Sequence, residues 1–127
     1  MKFISYKHNS ESKFGIIDNN LITDLTDKIS GAHTLKDLIF KKGISEAKKF
    51  ASANPGNLSV DEVEYLPLIP NPGKIICVGL NYSEHVKETN RTVEENPVIF
   101  HRFPESQTAH MQSIQRPIAS DLSLIHI

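Results

Sequence analysis

The sequence predicts an α+β chain, with a small N-terminal α/β domain followed by the start of a second, sheet-based part. Three observations predict it. Short apolar segments broken by Asn, Asp and Ser clusters occupy the first 25 residues, as in strands joined by tight turns. Apolar residues at helical spacing follow between Leu35 and Ala51. A proline-rich link, Pro67, Pro70, Pro72 and Gly73, then precedes the run Ile75-Ile76-Cys77-Val78. That run is continuously apolar and largely β-branched, as expected of a buried strand.

In chain order, the segment around Phe3 to His8 alternates imperfectly and reads as the first strand. Asn9-Ser10-Glu11-Ser12 is a turn signal, and Phe14-Gly15-Ile16-Ile17 a second short strand. Asp18-Asn19-Asn20 supplies residues that tolerate positive φ, so Ile16 to Leu25 reads as a tight hairpin. Thr34 is placed to cap a helix, with Asp37 as the capping-box acid three residues on. Leu35, Leu38 and Ile39 share a face, and Gly43 is expected to end that helix. Ser45 to Ser52 reads as a second helix with Ala47, Phe50 and Ala51 on its apolar side, stopped by Asn54-Pro55-Gly56. Val60 to Ile69 reads as a short strand running into a linker. Residues 67–73 resist helix because of their prolines, and a domain boundary is placed there. After Ile75–Val78, Gly79 and Asn81 end the strand, Ser83 caps a short helix from Glu84 to Thr89, and Pro97-Val98-Ile99-Phe100 forms the next strand. Residues 104–117 read as a loop that needs a larger body to lean on.

Composition narrows the function classes. The chain has 127 residues, 39% hydrophobic and 23% charged, which suits a packed core rather than wholesale disorder. Fourteen basic residues face fifteen acidic ones, so no net field draws the chain to nucleic acid or an anionic membrane. The single cysteine, Cys77, makes no internal disulfide. It is expected to be a small buried side chain, and a reduced, cytoplasmic setting is expected. The N-terminus lacks a signal-peptide apolar region, and no stretch approaches the roughly 20 apolar residues of a membrane span.

One segment carries chemistry: Gly79-Leu80-Asn81-Tyr82-Ser83-Glu84-His85-Val86-Lys87-Glu88. A strand passes through a glycine turn into a helix on which His85 and Glu88, three apart, share a face. A carboxylate beside an imidazole fixes its tautomer and raises its basicity. Such a pair can take a proton from water if substrate lies within reach. On a solvated helix the same spacing is also an ordinary surface ion pair. His8, His33 and His101 show no supporting neighbours, and no grouped ligands suggest a zinc site. Phosphate-loop glycines, a serine nucleophile elbow and basic-aromatic interleaving are absent.

The wider run Asn71-Pro72-Gly73-Lys74-Ile75-Ile76-Cys77-Val78-Gly79-Leu80-Asn81-Tyr82, then His85 and Glu88, then Pro97-Val98-Ile99-Phe100, closely resembles the opening of the fumarylacetoacetate hydrolase catalytic domain. Residues 1–70 resemble the small domain that precedes it in many bacterial members. The resemblance implies a mixed β-sandwich or roll catalytic domain beginning at residues 71–121, and a metal-dependent hydrolase, lyase, isomerase or decarboxylase acting on small 2-oxo or 1,3-diketo acids. It implies that His85 and Glu88 form a water-activating dyad on a lid. Relatives often carry a lysine after the Phe strand, facing the substrate carboxylate. Here Phe100-His101-Arg102-Phe103 stands in its place, so Arg102 becomes the candidate carboxylate clamp, with a solvated surface arginine as the alternative. Ser106, Gln107 and His110 match a variable loop, in either a structural or a substrate role. Asn81 and Tyr82 are expected to brace the turn.

The resemblance also implies a Mg²⁺ site, or Mn²⁺ or Ca²⁺, built from a Glu-x-Glu strand and a later Asp that this chain does not carry. Residues 122–127, Leu-Ser-Leu-Ile-His-Ile, resemble a translated sequencing-adapter end and are expected to be non-native, so His126 is not read as a ligand. The chain is thus expected to be an N-terminal fragment, catalytically inactive and poorly folded beyond residue 73. Its strands there would leave apolar faces exposed, at roughly 25 cal/mol per Å² left unburied. A small-molecule oxo acid is the expected partner, with a homodimer for the full-length enzyme. The rival reading is a non-catalytic α/β binding module whose dyad is a surface ion pair.

Overall fold

A computed structural model of the chain describes residues 1–82, 96–115 and 118. Among these, two compact units form: Met1–Ile69 together with residues from Thr108 onward, and Pro70–Gln107.

The first unit is built on a five-stranded antiparallel sheet in the order β4-β3-β2-β1-β5. β1 (Lys2–His8) and β2 (Glu11–Asp18) are joined by the two-residue turn Asn9–Ser10, both at positive φ. The turn is tighter than the four-residue cluster suggests, and Glu11 and Ser12 pair across to His8 and Lys7. A two-residue turn with left-handed backbone matches strand twist, and this keeps the register. Asn19–Asn20 repeats the device between β2 and β3 (Leu21–Asp24).

Both sheet faces are covered. On one, Phe14 and Ile16 pack with Leu25, Ile29, Leu35, Leu38, Ala47 and Ala51. On the other, Ile4, Tyr6 and Ile22 pack under Leu58, Val60, Val63 and Tyr65. Buried Ser5 donates its hydroxyl to the Leu68 carbonyl at 2.7 Å, satisfying a polar group inside the sheet.

α1 (Leu35–Phe40) begins with a full capping box: the Thr34 hydroxyl accepts from the Asp37 amide, and the Asp37 carboxylate accepts from the Thr34 amide. Gly43 does not supply the left-handed residue that ends α1. Lys42 does, at φ 57, while Gly43 at φ −79 opens α2 (Ile44–Ala53). Space is the reason for this glycine, since a Cβ there would lie 2.8 Å from Leu38 Cδ1. Gly56 is fixed the same way: its Cβ would fall 2.2 Å from the Ile22 carbonyl.

The stretch read as a strand from Val60 to Ile69 is strand only at Glu64–Tyr65, and a second very short strand, not read from the sequence, lies just before it on the opposite sheet edge. β4 (Leu58–Ser59) pairs with β3 and β5 (Glu64–Tyr65) with β1. Between them Val60–Glu62 forms a 3-10 turn closed by Ser59 and Glu62 in a second capping box, which interrupts any continuous extended run. His110 and Gln112 lean on this edge. Gln112 Nε2 donates to the Tyr65 carbonyl at 3.2 Å, and the His110 ring stands edge-on to Tyr65 at 5.0 Å.

In the second unit, β6 (Ile75–Gly79) and β7 (Val98–Arg102) pair antiparallel, with Ile75 opposite Arg102 and Cys77 opposite Phe100. The strand expected to be buried is only partly so: Ile76 is 64% and Val78 49% exposed. Apolar residues stand on both faces of this pair, as a sequence pattern for two-sided burial requires. No helix among the described residues is long and apolar enough to cross a membrane.

Candidate functional site

The route from β6 toward the dyad segment begins with an unusual backbone. Leu80 adopts φ 54, a left-handed conformation rare for a residue with a branched side chain. Strain of this kind costs on the order of 1–3 kcal/mol and clusters at functional turns. The glycine beside it is not the strained residue. A Cβ at Gly79 would meet Val98 Cγ1 at 3.4 Å, an ordinary contact. Asn81 and Tyr82 follow, both exposed. His85 and Glu88, with the helix expected around them, lie outside the described residues.

Arg102, the candidate carboxylate clamp, ends β7. Phe103 is extended, as a residue before proline must be, and Pro104 opens the 3-10 turn Pro104–Ser106. That turn carries Ser106 back toward the strand. Arg102 Nε donates to Ser106 Oγ at 3.2 Å, and Ser106 Oγ donates to the Phe103 carbonyl at 2.7 Å. Arg102 lines a groove of about 540 Å³ with Lys74, Ile75, Ile76, Phe100, His101 and Phe103 among its walls. Mostly apolar walls with a few basic groups suit a small organic anion.

The structure therefore brings Arg102 and Ser106 together and leaves the other loop candidates elsewhere. Gln107 Nε2 donates to the Pro104 carbonyl within its own turn at 3.3 Å, and His110 packs on Tyr65. His101 stands edge-on to Phe103. Cys77 is half-buried rather than enclosed, because the β6–β7 face that carries it is only partly covered.

Two polar groupings were not legible in the sequence. His33, read as unsupported, has its Nδ1 against the Asp27 carboxylate, which a left-handed residue at Asp27 brings round. Lys13 stands between Glu11 at 3.3 Å and Asp24 at 3.6 Å. The hydrogen bond to Glu11 and the charge of Asp24 hold its ammonium above its ordinary pKa. Nearby, burial and then the Asp24 carboxylate push the Tyr6 phenol upward, and the buried hydroxyl lacks a hydrogen-bond partner of good geometry among the described residues. The only sequence signal for this group is the strand register that puts Tyr6, Lys13 and Asp24 on one sheet face.

No group of three or more His, Cys, Asp or Glu side chains suited to a metal ion forms among the described residues. The described residues do not supply a donor set for the divalent ion that the resemblance implies.

Comparison with known proteins adds three findings. Residues 74–124 match the family model described as fumarylacetoacetate hydrolase, C-terminal, a match that runs into the segment expected to be non-native. The chain is 36% identical over 74 residues to oxaloacetate tautomerase Fahd2a, mitochondrial, of Rattus norvegicus, covering 58% of this chain and 24% of the relative. It is 42% identical over 50 residues to the fumarylacetoacetate hydrolase domain-containing protein 2 homolog of Dictyostelium discoideum, covering 39% and 16%. These alignments thus span a quarter or less of the curated relatives' lengths. A solved structure of a protein provisionally assigned as HpcE from Mycobacterium smegmatis superposes with a TM-score of 0.67 at 20% identity, covering 92% of this chain and 41% of that one. At that identity the likeness speaks for the fold alone, a mixed α/β architecture.

Proposed function

We propose that the chain is a member of the fumarylacetoacetate hydrolase family, whose model matches residues 74–124, and that it is the N-terminal part of a metal-dependent enzyme acting on small 2-oxo or 1,3-diketo acids. The observation that carries the reading is the family match over residues 74–124, a range that includes the dyad segment and Arg102. The relatives named as oxaloacetate tautomerases favour the 2-oxo acid end of this range, and proton transfer beside the oxo group over C–C hydrolysis.

In this reading Arg102 pairs with the substrate carboxylate, and Ile75, Ile76 and Phe100 contribute apolar walls beside the bound acid. His85, oriented by Glu88, accepts a proton and returns it. A divalent ion, if bound, would add polarisation of the oxo oxygen. The full-length protein works as a homodimer in the cytoplasm.

The test uses the full-length protein with Mg²⁺ and oxaloacetate or an acylpyruvate as substrate. Arg102→Ala raises KM by roughly 10-fold or more, the scale of a lost hydrogen bond to a charged group, and Arg102→Lys recovers part of it. An unchanged KM in Arg102→Ala contradicts the assignment.

A further inference from the structure

We propose that Ser106 is a positioning residue that fixes the Arg102 guanidinium for end-on capture of a carboxylate. The proposal rests on the reading of Arg102 as the carboxylate clamp.

The donor and acceptor count makes the case. A serine hydroxyl has one proton and two lone pairs. The Ser106 proton is committed to the Phe103 carbonyl at 2.7 Å, so the hydroxyl presents only lone pairs to the guanidinium. Arg102 Nε–H fills one of them at 3.2 Å. Guanidinium donors are fixed in a planar fork. With Nε–H engaged, a carboxylate cannot take the side-on approach that needs it, and the donors on the two terminal nitrogens remain as a matched pair. A long, exposed arginine thereby loses much of its rotamer freedom before substrate arrives, and less ordering is left for the binding step.

The serine itself is held by local geometry. The Phe103 carbonyl accepts from both the Ser106 hydroxyl and the Ser106 amide, the latter at 3.0 Å. Pro104 presets the turn that brings Ser106 back to the residue four before it. Every part of the device lies within the second compact unit, on one continuous stretch of chain from Arg102 to Ser106.

Two readouts test it. In the full-length enzyme with Mg²⁺ and oxaloacetate, Ser106→Ala raises KM about tenfold with kcat within a factor of about two, and Ser106→Thr, which keeps the hydroxyl, restores it. In the same full-length enzyme, the ¹⁵N-detected Nε–H resonance of Arg102, assigned by its loss in Arg102→Lys, exchanges slowly with water. It becomes fast-exchanging in Ser106→Ala and slow again in Ser106→Thr. If Arg102→Ala raises KM and Ser106→Ala does not, the positioning role is wrong and the clamp stands. If Arg102→Ala leaves KM unchanged, the clamp reading fails and the proposal with it. A KM rise in Ser106→Ala without change at the Arg102 resonance, or a fast-exchanging resonance in the unsubstituted chain, also overturns it.

Discussion

Phe14 and Ile16 on β2 and Ile76 and Ile99 on β6 and β7 are strand residues of similar character, yet the first two are 1% exposed and the others 64% and 56%. The difference lies in what the strands lean on. β2 has paired strands on both sides, two helices over one face and the Leu58–Tyr65 segment over the other. Among the described residues, β6 and β7 pair only with each other. A two-stranded pair without a covering layer is marginal in water, whereas the first unit hides both of its apolar faces. Apolar composition fixes what a strand needs; the layers around it decide whether the need is met.

The largest expected effect sets the two units against each other at an aromatic ring. Phe14→Ala destabilises the first unit by about 3–5 kcal/mol, measured by urea denaturation. Phe100→Ala on β7, already half exposed, changes that transition by less than about 0.5 kcal/mol. Equal effects would mean that the two units share one cooperative core. Glycine sharpens the same contrast. Gly56→Ala costs about 1–3 kcal/mol because the new methyl collides with the Ile22 carbonyl, whereas nothing lies within 4 Å of a Cβ at Gly73. Gly73→Ala is accordingly neutral or slightly stabilising, and thermal melts of the two variants separate the cases.

The smallest effect concerns the cap of α1. Thr34→Ala lowers stability by about 1 kcal/mol. Hydrogen bonds from the Thr34 side chain, then the Thr34 and His33 backbone amides, hold Asp37 below its ordinary value of 3.8. A carboxylate with a depressed folded-state pKa stabilises above its unfolded pKa and loses that contribution as pH falls through the folded one. The chain therefore loses part of its stability on acidification below the ordinary carboxylate range, and Asp37→Asn flattens that part of the curve. An acid limb identical in Asp37→Asn and the unsubstituted chain removes Asp37 as its source.

What was legible in the sequence was local. The Asn turns, the Thr34–Asp37 box and the Ala47, Phe50 and Ala51 face depend on residues a few positions apart, and each formed where its chemistry placed it. Gly43 and Gly56 were read as punctuation, but their reason is the close approach of Leu38 and Ile22, which no local pattern contains. The Ser59–Glu62 spacing carries a capping box that turns Val60–Glu62 into a 3-10 segment, so the strand expected from Val60 is confined to Glu64–Tyr65. At the candidate site, Arg102 was named from its place after the Phe strand. Its hold by Ser106 went unread because it depends on how Pro104 turns the chain. The left-handed Leu80 was masked by the glycine beside it.

Turnover of oxaloacetate by the full-length protein with Mg²⁺, compared with His85→Ala, tests the central claim most directly. The account predicts a loss of at least about a hundredfold in kcat with the fold intact by circular dichroism. Wild-type turnover in a folded His85→Ala protein would contradict it.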